Sequence, residues 1–338
     1  MNRPVLTFFN NKGGVGKTSL VYHLSWMYSL LGLRILAADL DPQANLTAGF
    51  VDEDRLVQVW SDESKVGNTI YDCLSPLVHR TGDIASPILE AIADNLALVL
   101  GDLRLSSFES QLSDDWPNTI LGRTGAIRVT SALWRTLQAA ADKFNADLIL
   151  VDVGPNLGAI NRAILISSDY VVVPLSPDLF SLQGLRNLGP TLNDWRKEWQ
   201  RVLENREPDV DLNVLPRGTI SPIGYVILQH IERVSRVVQA YQSWADKIPL
   251  EYRKHVLRDG SANENLAIGD DPNLLGRVRH YRSLAVMAQE ARKPIFLLKP
   301  ADGAAGSHVK IVEEAYHTFE TLAQEIAKRI SINIPDHN

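Results

Sequence analysis

The stretch Asn10-Asn11-Lys12-Gly13-Gly14-Val15-Gly16-Lys17-Thr18 constrains this chain more than any other. It lies between an apolar strand-forming run, Val5–Phe9, and a segment, Thr18–Leu31, with Leu20, Val21, Leu24, Met27, Tyr28 and Leu31 at helical spacing. A strand that turns through three glycines into a helix start aims backbone N–H groups and the positive end of the helix at one spot. An anion is the natural occupant. Lys17 is placed to reach β- and γ-phosphates, and the Thr18 hydroxyl to sit on Mg²⁺. The general phosphate-loop pattern has glycine at position 11, where this chain has asparagine; it offers instead a second lysine, Lys12, directly before the glycine pair.

The 338 residues, 45% of them hydrophobic, are enough for one large α/β domain or two small ones. No apolar stretch reaches the length of a membrane span, and the phosphate loop begins where a leader peptide would have its apolar segment, so a cytoplasmic protein is expected. The single cysteine, Cys73, excludes an internal disulfide and any cluster built on several thiolates. Lysine and arginine number 34 against 40 acidic residues, a net charge of −6 that is not the balance of a dedicated nucleic-acid protein. A local basic excess lies in residues 231–258, where Arg233, Arg236, Lys247, Arg253, Lys254 and Arg258 face three acidic residues.

A second strand, Arg34–Leu40, ends in Asp39-Leu40-Asp41-Pro42-Gln43; strand alternation points Asp39 and Asp41 the same way, at the sheet edge where open α/β folds bind ligands. Helices are expected over Thr69–Leu77, near Ile88–Ala93 and around Leu105–Leu112, a strand at Leu96–Leu100, and an exposed loop over Ser113–Gly125. A helix over Ile127–Phe144 leads to a wholly apolar strand closed by Asp152, too apolar to be half exposed. Further on come a helix over Gly158–Ser167, a strand at Tyr170–Pro174, a helix from Ser181 past Trp195, and a strand at Ile223–Leu228. Residues 229–276 form an enlarged, charged, helical region, an extended segment follows Lys293-Pro294, and a helix over Val309–Ile330 closes the chain. The alternation predicts a single α/β domain over 1–338, with a mostly parallel central sheet flanked by helices on both faces.

Three pieces therefore share one sheet edge: the loop, the carboxylates of Asp39 and Asp41, and that of Asp152. Mg²⁺ prefers oxygen ligands and keeps several waters, so Thr18 can bind it directly while Asp39 and Asp152 hold its waters. Asp41 is then free to orient an attacking water, and Lys12 beside Lys17 adds a second cation for the developing charge. Gly13, Gly14, Val15, Gly16, Lys17, Thr18 and Ser19 are the expected nucleotide contacts.

This motif set resembles the ParA/MinD family of deviant Walker A ATPases, the signature-lysine class. Lys12 to Thr18 matches the family loop, with Lys12 as the signature lysine; Leu40-Asp41-Pro42-Gln43 matches the motif after the second strand, and Val151-Asp152 the Walker B position. The resemblance implies a P-loop NTPase fold, ATP and Mg²⁺ as cofactors, and an ATP-sandwich homodimer in which Lys12 crosses to the partner's nucleotide until slow hydrolysis ends the dimeric state. This chain departs from the family in having Val153-Gly154-Pro155-Asn156 after the Walker B aspartate and His280-Tyr281-Arg282 where the family has Pro-Arg-Asn. Gln229 and His230 are candidates either for adenine contacts or for a plain strand cap. The chain opens at the phosphate-loop strand with no helix-turn-helix before it, and Ser331–Asn338 is polar, so neither operator reading nor a membrane partner is expected.

Two functions fit. The first is an ATPase whose dimer drives partition or positioning of DNA or another cargo, with an activating partner protein and nonspecific DNA binding through arginines such as Arg233, Arg236, Arg253 and Arg258. Those arginines fit a solvated mixed-charge face as well. The second is an ATP-gated dimeric switch that regulates a protein partner without DNA. A small-molecule kinase or ligase on the same loop, of the kind dethiobiotin synthetase is, fits the Lys12 and Asp-Pro-Gln combination less well.

Overall fold

The strands at 5–8, 35–39, 96–99 and 148–152 are buried at every residue, as a parallel sheet covered on both faces requires. In the computed structural model, which describes residues 2–61, 68–230, 242–262 and 266–335, eight strands form one sheet in the order β3-β4-β2-β5-β1-β6-β7-β8. They are β1 (Val5–Phe8), β2 (Ile35–Asp39), β3 (Glu90–Ala93), β4 (Leu96–Val99), β5 (Leu148–Asp152), β6 (Tyr170–Leu175), β7 (Ser221–His230) and β8 (Leu274–Arg279). Every neighbouring pair is parallel except β3 with β4. The helices that connect them lie on both faces, as a parallel sheet requires.

Alternation along β1 sends Leu6 and Phe8 into one apolar layer and Val5 and Phe9 into the other. The first layer is closed by α1 (Lys17–Leu30) and by the last helix, which meet where the Tyr28 hydroxyl donates to the Ala323 carbonyl at 2.9 Å. The second is closed by α4 (Ile70–Val78), α5 (Phe108–Ile120), α6 (Thr124–Thr130), α7 (Ala132–Phe144), α8 (Ala159–Ile166) and α9 (Leu179–Asn205). Two short helices, α2 (Asn45–Phe50) and α3 (Glu53–Ser61), follow β2. After β7 come α10 (Ile248–Glu251) with a π turn at Tyr252–Val256, then α11 (Ser283–Ala291) and α12 (Ser307–Arg329), the last helix. Cys73 is buried in α4, and among the described residues no helix is long and apolar enough to cross a membrane.

Several local expectations are corrected. The helix expected near Ile88–Ala93 is β3, turned onto β4 by the two-residue loop Asp94-Asn95; turn-forming residues override the helix propensity of Glu90 and Ala91. The loop expected over Ser113–Gly125 is mostly α5, whose Phe108, Leu112, Trp116 and Thr119 form a buried stripe that the polar residues between them masked. The helix expected over Ile127–Phe144 breaks at Ser131 into α6 and α7, and the segment after Pro294 is a 3₁₀ turn, Ile295–Leu297. The region about 229–276 is strand at both ends, since β7 runs to His230 and β8 starts at Leu274; Arg233 and Arg236 lie outside the described residues.

Candidate active site

The glycines turn the chain sharply after β1. Gly14 and Gly16 take φ of 71° and 92°, the left-handed region that a Cβ disfavours, and Gly16 is the N-cap of α1 without any side-chain cap. The first N–H groups of α1 thus face the loop with no side chain taking them, an arrangement that holds a phosphate. Gly13, Gly14 and Ser19 are exposed, Thr18 is half-buried, and Val15 anchors the loop from below.

The departure at position 11 has a structural reason. The Asn10 amide donates to the Pro174 carbonyl at 2.6 Å, and its Oδ1 accepts the Lys12 N–H at 2.9 Å. Asn11 packs against α9 at Gly184, where a Cβ would come within 2.6 Å of its Oδ1. The loop is therefore fastened to β6 and α9, and Lys12 is carried to the N-terminus of α9. There its ammonium pairs with Asp178, the N-cap of that helix, and lies 5.9 Å from the Phe180 ring centroid. Nothing in the sequence flagged Asp178, a residue that is only a helix cap until Lys12 is seen beside it.

Lys17 is buried, and its ammonium donates to the Lys12 carbonyl at 3.1 Å. Burial lowers its pKa, opposed by the charges of Asp152 and Asp41. Asp39 and Asp152 are register partners on adjacent strands, β2 and β5, and both are fully buried. Burial raises both pKa values, and each carboxylate is raised further by acidic neighbours: Asp39 by Asp41, Asp152 by Asp39 and then Asp41. Their surroundings differ. Asp39 Oδ2 accepts the Thr47 N–H and hydroxyl, both at 2.7 Å, and Oδ1 accepts the Asp41 N–H at 3.3 Å. The Thr18 hydroxyl lowers the Asp152 pKa in part, yet neither oxygen of Asp152 has a hydrogen bond of normal geometry among the described residues. Asp41 is 8% exposed, with its Oδ1 accepting the Gln43 N–H at 3.0 Å.

A buried carboxylate with both oxygens unpartnered, beside a hydroxyl and a phosphate-type loop, suits a hydrated divalent cation brought by a nucleotide. Among the described residues no group of three or more His, Cys, Asp or Glu side chains is placed to hold a metal ion.

Two cavities open beside the loop. One of about 180 Å³ is lined by Val15, Gly16, Ser19, Leu228, His280 and Tyr281, a mostly apolar slot on the β7–β8 side. The other, about 410 Å³, lies between α1, α2 and α11, with Thr18, Tyr22, Asn45, Gln289 and Lys293 in its wall. The structure thus brings His280 and Tyr281 to the loop. Gln229 and His230 end β7, where the His230 backbone pairs with Arg279; their side chains lie outside the described residues.

A family profile described as an AAA domain matches residues 3–205, more than half of the chain. The chain is 29% identical over 184 residues to the sporulation initiation inhibitor protein Soj of Bacillus subtilis; the match covers 54% of this chain and 62% of Soj, less than two thirds of that relative's length. Among solved structures, a Corynebacterium diphtheriae protein superposes with a TM-score of 0.67 at 22% identity, covering 96% of this chain and 98% of its own. The ATP complex of McdA from Cyanothece gives a TM-score of 0.61 at 14% identity, covering 99% of each chain. These two likenesses establish the fold, and the profile establishes the family. With its lysine-bearing loop and three aspartates gathered at one sheet edge, the chain belongs to the AAA-domain family, in its ParA/MinD group of P-loop ATPases.

Proposed function

We propose that this chain binds Mg²⁺ and ATP at the loop 12–19, forms an ATP-dependent sandwich dimer and hydrolyses ATP slowly, driving partition or positioning of DNA or another cargo. The observation that carries the reading is the pairing of two lysines on one loop with the unpartnered carboxylate of Asp152 below it. Lys17 leaves the Lys12 carbonyl for the β- and γ-phosphates, the α1 N–H groups hold the phosphate oxygens, and Thr18 binds the cation directly. Asp152 and Asp39 hold the waters of the cation, and Asp39 also orders the adjoining α2 through Thr47. Bound Mg²⁺ supplies positive charge against the phosphates. Asp41 orients the attacking water, and Lys12, once released by Asp178, reaches the partner's nucleotide. The slot beside His280 and Tyr281 takes the base, next to the strand that ends in Gln229 and His230. The name of a relative 29% identical over 187 residues, the chromosome-partitioning ATPase Soj of Treponema pallidum, supports a role of partition type, and the ATP in the McdA complex supports the nucleotide.

The test is phosphate release and sedimentation with ATP and with ADP. Lys17→Ala should abolish nucleotide binding. Lys12→Ala should keep binding and lose the ATP dimer, and Asp41→Ala should trap the dimer. An ATP dimer unaffected by Lys12→Ala would remove the signature-lysine role.

A second reading, a dimeric switch acting on a protein partner without DNA, is favoured by one observation. The chain carries 40 acidic against 34 basic residues, a net charge of −6 that is not the balance of a dedicated nucleic-acid protein. A salt-dependent shift of duplex DNA with ATP and not ADP selects the first reading; no shift at low salt selects the second.

A further inference from the structure

We propose that Glu109 of α5 is a positioning residue for hydrolysis, holding the loop 153–158 after Asp152 against the phosphate loop and Asp41; this rests on the ATPase reading above. That loop leads into α8, whose N-cap, Gly158, provides no side-chain acceptor. Glu109 provides it from another helix: Oε1 accepts the Ala159 N–H at 2.5 Å and Oε2 the Ile160 N–H at 2.9 Å. One carboxylate thus takes two of the N–H groups that begin α8, where its charge also suits the helix end. The approach needs glycine at 158, because a Cβ there would lie 2.4 Å from Glu109 Oε1.

Two further ties join the loop to α8 and α8 to α5. The Asn161 amide donates to the Gly154 carbonyl at 2.9 Å and the Asn156 carbonyl at 2.7 Å, and the Arg162 guanidinium lies 4.0 Å from the Trp116 ring centroid on α5. The segment is therefore pinned by β5 at one end and by Glu109 at the other. Between these pins it meets the nucleotide machinery twice. Pro155 lies 3.8 Å from where a Gly13 Cβ would stand, and Asp41 Oδ1 lies 3.3 Å from where a Gly154 Cβ would stand. Releasing the α8 end frees the segment that packs on Asp41, while Lys17, bonded to the Lys12 carbonyl, and the first N–H groups of α1 are fixed independently of it. Glu109 touches no reacting atom, so its effect falls on turnover rather than on nucleotide binding.

The experiment compares Glu109→Ala and Glu109→Gln with the unaltered full chain in steady-state ATP hydrolysis and in amide hydrogen exchange. Glu109→Ala should lower kcat about tenfold with KM for ATP changed less than about threefold. Glutamine keeps one acceptor oxygen and should restore most of the loss. Amides 159 and 160 should exchange at least about tenfold faster in Glu109→Ala. A Glu109→Ala kcat within about twofold of the unaltered chain, or exchange at 159 and 160 unchanged in whichever variant folds, would overturn the proposal. Should Glu109→Ala fail to fold, Glu109→Gln carries the same comparison, with smaller shifts in the same direction. No turnover in the unaltered chain would sink the ATPase reading instead, and the placement of the loop by Glu109 would then be decided by exchange alone.

Discussion

Lys12 and Asp178 of the same chain form an ion pair, and Asp178 also caps α9 by accepting the Ser181 N–H at 2.9 Å. A lysine held within its own chain is withheld from a second one, so this pair competes with any dimer that needs Lys12 in trans. Half-exposed pairs contribute about 0–1 kcal/mol, which bounds the competition at about fivefold. Asp178→Asn should therefore tighten ATP-dependent dimerisation by up to about fivefold. Asparagine caps helices as well as aspartate, so the melting temperature should hardly move. Sedimentation with ATP checks the first and calorimetry the second; a weaker dimer would mean that Asp178 serves the dimer rather than opposing it.

The phosphate loop, the three aspartates and the parallel sheet were legible because each has a local signature: glycines with a lysine, a carboxylate closing an apolar run, and strand alternating with helix. Glu109 and Asp178 were not. Each acts on a residue about 50 or more positions away, and no spacing rule links Glu109 to Ala159 or Asp178 to Lys12. Asp39 was legible as a carboxylate at the right edge, but its bond to Thr47 depends on how α2 folds back after Pro42. Strand β8 stayed hidden because Gly276, Arg277 and Arg279 interrupt its apolar pattern at the sheet edge.

Thr47 is the partner that makes Asp39 tolerable in the core. Its hydroxyl donates to Asp39 Oδ2 at 2.7 Å and accepts the Gly101 N–H at 2.8 Å, tying α2 to the end of β4. Thr47→Val keeps the shape and leaves both partners short of a bond, which should cost about 3 kcal/mol in urea unfolding. Thr47→Ser should recover most of it. A Thr47→Val chain as stable as the unaltered one would show that Asp39 does not depend on the hydroxyl.

Asp152 should destabilise the nucleotide-free chain as pH rises. Its folded pKa is raised above the unfolded value by burial and then by Asp39, so the folded state holds the proton that the unfolded state gives up. Stability from this group is fully present below the unfolded pKa of about 4 and is lost as pH climbs through the folded value. Asp152→Asn should thus raise the melting temperature at pH 8 and leave it nearly unchanged at pH 4, while losing the extra stabilisation that Mg²⁺ adds to ATP. Equal shifts at both pH values would exclude the linkage.

His23 works in the opposite sense. Its Nδ1 donates to the Ser19 carbonyl at 2.6 Å and its Nε2 accepts the Ile295 N–H at 3.2 Å, a set of bonds that only the neutral ring can make. It is stacked on Phe319, with ring centroids 4.7 Å apart, and burial lowers its pKa from 6.5 to about 4. The unfolded state takes up a proton first as pH falls, so the stability held above about pH 6.5 drains away between pH 6.5 and 4, by about 3 kcal/mol in all. In urea titrations the unaltered chain should lose that much relative to His23→Gln across this window, whatever the offset between the two at pH 7. Protonation also removes the acceptor of the Ile295 N–H, so that amide should exchange faster as the window is crossed. Parallel stability curves for the two chains would show that His23 does not titrate on unfolding.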